Sequence, residues 1–372
     1  MQHQGIGSEN DGQPVIRVIG LGGAGTNAVC HMVDQGIEGV DFICANTDVQ
    51  HLERAHNAAK LALGSHLTQG LGAGADPKIG AAAAEYDRDR IRAELENSDM
   101  VFITAGMGGG TGTGSAPIVA EIAREVNALT VAVVTKPFQY EGNKRMAVAE
   151  EGLNKLVGSV DSLIVIPNQR LIEYFGKSFG MKDAFAKANE VLDGAVRGIS
   201  DVATKTGYIN VDFEDVRTVM TVRGTAMMGT GRAEGENRAE EAVKQALACP
   251  LLEDMDVRNA SGVLVNISGA DVELGETQLI MDQVQERANQ DAQVVFGCLM
   301  DPSYGNELRV TVIMTGMNRA PKSSVADAPL PVQQMASVAQ VSEVAATEPP
   351  AVSDEQLLDI PSLLRNQINR SG

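Results

Sequence analysis

Six glycines fall within nine residues in Gly106-Met-Gly-Gly-Gly-Thr-Gly-Thr-Gly114, directly after the apolar run Met100-Val-Phe-Ile103. Each glycine costs conformational entropy on folding, so a cluster this dense argues against a role in stability. What it can supply is a nest of backbone N–H groups with two threonine hydroxyls, suited to a polyphosphate. The preceding run reads as a strand, and a helix opens at about Ser115. The nest therefore sits at the carboxyl end of a strand, where open α/β sheets bind their ligands.

Two more glycine loops join it. Gly20-Leu-Gly-Gly-Ala-Gly25 fits the G-x-G-x-x-G pattern between a buried strand, Val15–Ile19, and a helix running to about Gln35. This pattern suits NAD, FAD or any other nucleotide, and also a tight turn with no ligand. Asn46 and Asp48 follow a second strand, Val40–Cys44, where a dinucleotide enzyme places its ribose-binding acid. A nicotinamide-dependent enzyme is thus a rival reading of these residues. Gly70-Leu-Gly-Ala-Gly-Ala75 is the third loop. A dinucleotide site needs one such loop, whereas a triphosphate with its metal makes better use of three. The standard P-loop is absent: Gly176-Lys177-Ser178 resembles its end, but Leu171 stands where the motif requires glycine. Asn143-Lys144 is followed by Arg145-Met146, so the Asn-Lys-x-Asp base-reading motif is not completed either.

Strands and helices alternate from Val15 to about Thr135, with further strands at Leu129–Val134 and Ser162–Ile166. That alternation predicts βαβ units in a doubly wound sheet. Residues 181–203 read as a long helix whose Phe185, Val191, Leu192, Val196 and Ile199 fall near helical spacing and form a core face. Strands over 262–267, 292–297 and 307–313, with helices at about 234–248 and 276–289, predict a second α/β domain. The expected organisation is a polar tail over 1–12, a nucleotide-binding domain over 13–180, a central helix over 181–205 and a second domain over 206–318. Residues 319–354, rich in Pro, Ala, Ser, Val and Gln, read as a disordered linker. As a flexible chain it would span roughly 30–35 Å. Residues 355–372 carry Leu357, Leu358, Ile360, Leu363 and Leu364 among polar residues. Such a segment either docks on its own domain or folds onto a partner.

Composition narrows the partners. A formal net charge of -19 opposes wrapping of nucleic acid and direct adsorption to anionic lipid. No apolar run approaches a membrane span, and the polar N-terminus lacks a signal-peptide core, which makes the cytoplasm the expected compartment. Cys30, Cys44, Cys249 and Cys298 form no Cys-x-x-Cys pair and read as reduced core thiols.

The run Gly108-Gly-Gly-Thr-Gly-Thr-Gly114 resembles the signature of the tubulin superfamily. Its surroundings resemble the FtsZ family of bacterial cell-division GTPases more closely: Asn46-Thr-Asp48, Gly70–Ala75, Thr135-Lys-Pro-Phe138, Asn210-Val-Asp-Phe-Glu-Asp-Val-Arg-Thr218 and the tail Asp359-Ile-Pro-Ser-Leu-Leu-Arg365. The resemblance runs from about 13 to 318 and returns in the tail. It implies a Rossmann-like GTP-binding domain, a long central helix, a second α/β domain, and a disordered linker and tail peptide. It also implies GTP and GDP as ligands, with Mg2+ held mainly by the phosphates and no protein metal site.

Residue by residue, the resemblance places Gly22, Gly23, Ala24, Gly25, Thr26 and Asn27 along the nucleotide, with Asn46, Asp48, Gly74, Ala75 and Gly106 beside it. Many relatives have glycine at the position of Ala24, whose small methyl leaves binding intact. Gly108, Gly109, Gly110, Thr111 and Gly112 would cradle the phosphates. Glu141 and Arg145 would contact ribose and phosphate, and Thr135, Pro137 and Asn168 complete the surroundings. Phe185 would stack on guanine while Asn189 bonds its edge. Taken alone, these last two read as a core aromatic and a polar helix residue, although their four-residue spacing puts them on one face.

Asp212 and Asp215 read locally as a helix start, Asp212 as N-cap and Asp215 in the first turn. The resemblance instead carries them into the next subunit's nucleotide site. There both carboxylates would polarise the attacking water, with Asn210 orienting them. The implied activity is GTP hydrolysis conditional on head-to-tail assembly, in filaments that form the cytokinetic ring at midcell. The implied partners are further copies of the chain, membrane anchors of the actin-like FtsA type or single-span ZipA type reached through the tail, and division regulators. Nucleic acid and direct membrane insertion are not expected. A scaffold that binds GTP without hydrolysing it is the other rival, and the intact Asn210–Asp215 segment argues against it.

Overall fold

The computed structural model describes residues 13–175, 180–205, 207–209, 211–222, 224–249 and 260–317. The N-terminal tail, Gly176–Ser178, Asn210, the linker and the tail peptide lie outside the described residues.

Short apolar runs in the first half become parallel strands covered by helices on both faces, which is why they lack polar alternation. They are β1 (Ile16–Leu21), β2 (Val40–Asn46), β3 (Ala59–Ala62), β4 (Met100–Gly106), β5 (Leu129–Lys136) and β6 (Ser162–Pro167), in the spatial order β3-β2-β1-β4-β5-β6. Between them run α1 (Gly22–Asp34), α2 (Val49–Glu53), α3 (Ser65–Thr68), α4 (Pro77–Tyr86), α5 (Arg88–Leu95), α6 (Thr111–Glu125), α7 (Asn143–Leu156) and, after β6, α8 (Asn168–Phe175). The strand order reverses between β1 and β4. These two are neighbours in register from Ile16↔Met100 to Leu21↔Ala105, so the glycine loops that follow them start level at one edge. This reversal is where a doubly wound sheet opens a ligand crevice.

The second half continues through α9 (Met181–Thr204), α10 (Phe213–Met220), β7 (Thr225–Glu234), α11 (Arg238–Leu247), β8 (Gly262–Gly269), α12 (Leu274–Arg287), β9 (Gln293–Met300) and β10 (Glu307–Thr315). Its strands extend the same sheet, in the order β6-β7-β10-β8-β9. The junction is narrow: β7 pairs with β6 only at Leu163↔Thr225 and Ile164↔Ala226. Beyond that it pairs antiparallel with β10 from Met227 to Glu234.

Two strands are not evident in the sequence pattern. β3 is the four-residue segment Ala-Lys-Leu-Ala, and β7 is interrupted by Gly229 and Gly231. The second glycine has a packing cause, since a Cβ on Gly231 would be driven into the Ala242 carbonyl of α11.

α9 carries the core that joins the halves. Leu192, Ala195, Val196 and Ile199 are buried in one cluster with Val131, Val133 and Ile164 of the first half and Met228, Leu264 and Ile313 of the second. Phe185 departs from the expected core face: it is 44% exposed, although Ala184 and Ala188 in the same turns of α9 are buried. Cys44 and Cys298 are buried and free, and burial pushes the Cys44 thiol up to about 12, in keeping with an inert core thiol. Among the described residues no helix is long and apolar enough to cross a membrane.

Candidate nucleotide site

The dense glycine loop has two uses where the sequence suggested one. α6 starts at Thr111, earlier than expected, so Gly112 and Gly114 lie inside its first turns. There Gly114 lets α4 cross in backbone contact, and a Cβ on it would be driven into the Pro77 carbonyl. α4 meets that approach with a glycine of its own, Gly80, where a Cβ would be driven into the Gly110 carbonyl. Part of the cluster is therefore a packing device, and the expectation that it has no structural use is revised. Gly108 adopts a φ of +97 and donates its N–H to Thr113 Oγ1 at 2.8 Å. A Cβ on Gly109, by contrast, would meet nothing within 4 Å. At that position the loop faces open space.

The three loops meet. Thr47 Oγ1 and Thr111 Oγ1 lie 2.6 Å apart, tying the Asn46-Thr-Asp48 loop to the start of α6. Asn46 is buried, and its Oδ1 accepts from the Asp48 N–H at 3.3 Å. Asp48 caps α2 by accepting from His51 N at 3.0 Å, and it forms a bridge to Leu71 in the third loop. That loop follows β3 and α3, and the Asp48 bridge brings it back to the crevice. In the first loop Gly22 has a φ of +68 and lies against the Gly112 backbone, while the Ala24 methyl faces Gly106. Gly25 and Thr26 are buried below, whereas Gly23, Ala24 and Asn27 are exposed on the crevice side of α1.

A pocket of about 470 Å³ opens between the third loop, the Gly108–Gly110 loop and α7, lined by Gly74, Ala75, Gly108, Gly109, Gly110, Glu141, Lys144, Arg145 and Val148. Seven of these were expected from sequence. Lys144 and Val148 were not, although Lys144 stands beside Arg145 in the first turn of α7 and adds a second cation. Glu141 Oε2 pairs with Arg145 Nη1 at 2.9 Å while its Oε1 accepts from Phe138 N at 2.8 Å. The guanidinium is thereby held at the pocket with donors to spare, as phosphate binding requires.

Farther along the same edge, Thr135 lies near the end of β5 and Pro137 directly follows it, both buried; the Thr135 carbonyl accepts from Met107 N at 2.9 Å. Asn168 starts α8, and its buried Oδ1 has no hydrogen-bond partner among the described residues. Phe185 leaves one face open and meets the buried Phe138 ring edge-on, with centroids 5.2 Å apart at 89°. Asn189 follows one turn later on α9 and is half-buried. Among the described residues no cluster of His, Cys, Asp or Glu could hold a metal ion.

Asp212 and Asp215 lie elsewhere. α9 rises about 1.5 Å per residue, so some 30 Å of helix separate Phe185 from its far end at Thr204. The chain beyond stays at that end. Ile209 bridges Cys298 of β9, and Val202 and Val211 both border Gly297. Asp212 occupies the N-cap position of α10, with φ -68 and ψ 145, yet its side chain makes no capping bond. Neither carboxylate makes a hydrogen bond or ion pair among the described residues, and both are exposed. Two accessible carboxylates at a helix start suit polarisation of a water, but the nucleotide crevice of the same chain is out of their reach.

Comparison with known proteins bears on both halves of the chain. Residues 15–176 match the Tubulin/FtsZ family GTPase domain, and residues 224–318 match the FtsZ family C-terminal domain. The chain is 52% identical to the cell division protein FtsZ of Coxiella burnetii, over 97% of this chain and 91% of that protein. It is likewise 52% identical to the cell division protein FtsZ of Pseudomonas putida, over 95% of this chain and 89% of the relative. Among solved structures, an empty FtsZ dimer from M. jannaschii superposes with a TM-score of 0.78 at 46% identity, covering 81% of this chain and 88% of that one.

Proposed function

Because the chain belongs to the Tubulin/FtsZ family of GTPases, we propose that it assembles head to tail and hydrolyses GTP only where two copies meet. GTP and GDP occupy the β1–β4 crevice. The Gly108–Gly110 amides and the N-terminus of α6 receive the phosphates, Arg145 and Lys144 offset their charge, and Mg2+ binds mainly through the phosphate oxygens. Glu141 meets the ribose. Guanine lies on the open face of Phe185, with Asn189 at its edge. Thr135, Pro137 and Asn168 close the far side.

Asp212 and Asp215 of the adjoining copy position and polarise the attacking water, with Asn210 beside them. Hydrolysis removes the γ-phosphate from the interface that enabled it, so each turnover weakens the contact. A head-to-tail contact propagates without closing, which gives a filament. The filament works at the midcell division site. Residues 355–372 connect it to membrane anchors of the actin-like or single-span kind, residues 319–354 act as tether, and division regulators act on the same assembly.

The observation that carries this reading is the length of α9, which stands between the crevice and two carboxylates left without partners. The test is the GTPase rate per subunit against protein concentration with Mg2+, alongside light scattering. We expect a near-zero rate below a threshold and a rise in step with scattering. A constant rate per subunit without scattering would place a complete site in each copy and end the interface reading. In the same assay, a chain ending at residue 354 should keep both signals while losing pull-down by the anchor; retained pull-down would remove the tail from that role.

A further inference from the structure

His51 is half-buried on the five-residue helix α2, beside the first glycine loop. Its Nε2 lies 3.2 Å from the Gly23 carbonyl oxygen and 3.2 Å from Asn27 Oδ1. Gly23 and Asn27 stand one turn apart on α1, on the face that looks into the crevice. The backbone of α2 is anchored in turn: Asp48 Oδ1 accepts from the His51 backbone N–H, and Val49 N donates to the Gly70 carbonyl at 3.0 Å. His51 thus ties α2, which is bonded to the third loop, to the first turn of α1.

A carbonyl oxygen can only accept, so Nε2 must carry the hydrogen. A nitrogen that already carries a hydrogen offers no lone pair in the ring plane. The Asn27 amide must then turn its oxygen toward His51, because its NH2 group would face another N–H. The rest follows from the planarity of the amide. With Oδ1 taken by the imidazole, the Asn27 NH2 points away from His51, with no hydrogen bond among the described residues.

We infer that His51 is a positioning residue of the nucleotide site: it fixes the Asn27 amide so that an NH2 donor, and not a carbonyl oxygen, faces the bound nucleotide. This rests on the proposed placement of GTP in the β1–β4 crevice. The group met by Asn27 is therefore an acceptor on the nucleotide, a ring nitrogen or a ribose oxygen. Without the imidazole the Asn27 side chain is free about both of its torsions, and most of its orientations turn the NH2 donor away from the nucleotide.

The test is a double-mutant cycle read as the GDP dissociation constant, measured on full-length protein below the assembly threshold. His51→Ala and Asn27→Ala should each weaken GDP binding about five- to tenfold. The pair together should lose little more than either alone, since His51 acts only through Asn27. His51→Gln, which keeps an N–H donor at the same reach, should restore binding to within about twofold, and a merely structural role would show no such rescue. At saturating GTP the assembled His51→Ala protein should turn over within about twofold of the parent, placing the loss in KM. Additive losses, or no rescue by His51→Gln, would overturn the positioning role. Gly109→Trp serves as the outer control. If it abolishes GDP binding while both alanine variants bind normally, the inference falls and the nucleotide site stands. If GDP binding survives Gly109→Trp as well, the placement of the nucleotide falls with it.

Discussion

The crevice at β1 and β4 and the acidic end of α10 differ in how far their polar groups are already engaged. In the crevice, Thr47 meets Thr111, Glu141 holds Arg145, Asp48 caps α2 and Gly108 donates to Thr113. The fold itself fixes the geometry that a ligand would use, so little ordering remains to be done on binding. At α10, Asp212 holds the N-cap position without capping, and Asp215 in the first turn also lacks a partner. The helix dipole tolerates two carboxylates there, so leaving them idle costs the fold little. A preformed network marks a site that one chain can complete. Idle, accessible charge away from that network is what the proposed head-to-tail contact requires.

The largest effect should come from the idle side. Asp212→Ala should lower GTP turnover in assembled protein by at least about a hundredfold. It should leave GDP affinity unchanged and shift Tm by no more than about 1 °C, since no side-chain hydrogen bond is removed. Turnover measured at saturating GTP, beside a thermal melt, decides it. Wild-type turnover would strip Asp212 of its catalytic role, and a large Tm loss would show that the carboxylate is engaged after all.

Within the crevice, two glycines should separate packing from ligand approach. Gly114→Ala pushes a methyl into the Pro77 carbonyl at the crossing of α4 and α6, and overpacking of this kind costs about 1–3 kcal/mol. A chain of this size should then melt several degrees lower. Gly109→Ala meets open space, so its Tm should stay within about 1 °C while GTP binding weakens. If the two variants behave alike in both assays, the glycine loop cannot be divided between the two jobs.

How much of this could be read in the sequence follows the same division. The crevice was legible because glycine density, strand endings and helix starts are local signals, and each kept its place to within a few residues. Four features were not. β3 is too short and too rich in alanine to show a strand pattern, and the glycines of β7 answer to α11, which is distant in sequence. Lys144 reads only as part of an incomplete base-reading motif until α7 places it at the pocket. Phe185 shares the spacing of the core residues of α9, and only its exposure in the fold shows that it stands clear. For Asp212 and Asp215, local reasoning predicted the helix start correctly. The absence of the capping bond is a three-dimensional fact, and that absence sets them apart from ordinary helix starts.

Arg232 is the control for the whole comparison, because it too carries idle charge. It lies directly opposite Arg309 across the antiparallel pair β7–β10, so both guanidiniums project from one face. Arg309 pairs with Glu307 at 3.0 Å, while the Arg232 guanidinium has no hydrogen bond or ion pair among the described residues. Arg232 is exposed as a residue, yet partial desolvation of its guanidinium first and the Arg309 charge second hold it below the ordinary arginine value, against the pull of Glu307, Glu190 and Asp193. Like charges directly opposite in a ladder cost a few tenths of a kcal/mol, up to about 1. Arg232→Gln should therefore raise Tm by about 1–2 °C and leave GTPase activity and scattering as they were. That outcome would show that an unpartnered charge is not sufficient to mark a site, and that the position of Asp212 beyond α9 carries the distinction. A fall in turnover together with a rise in Tm would mean that Arg232 is held idle for a use of its own, and the ~600 Å³ pocket that it shares with Arg197 and Arg309 would be the place to look for it.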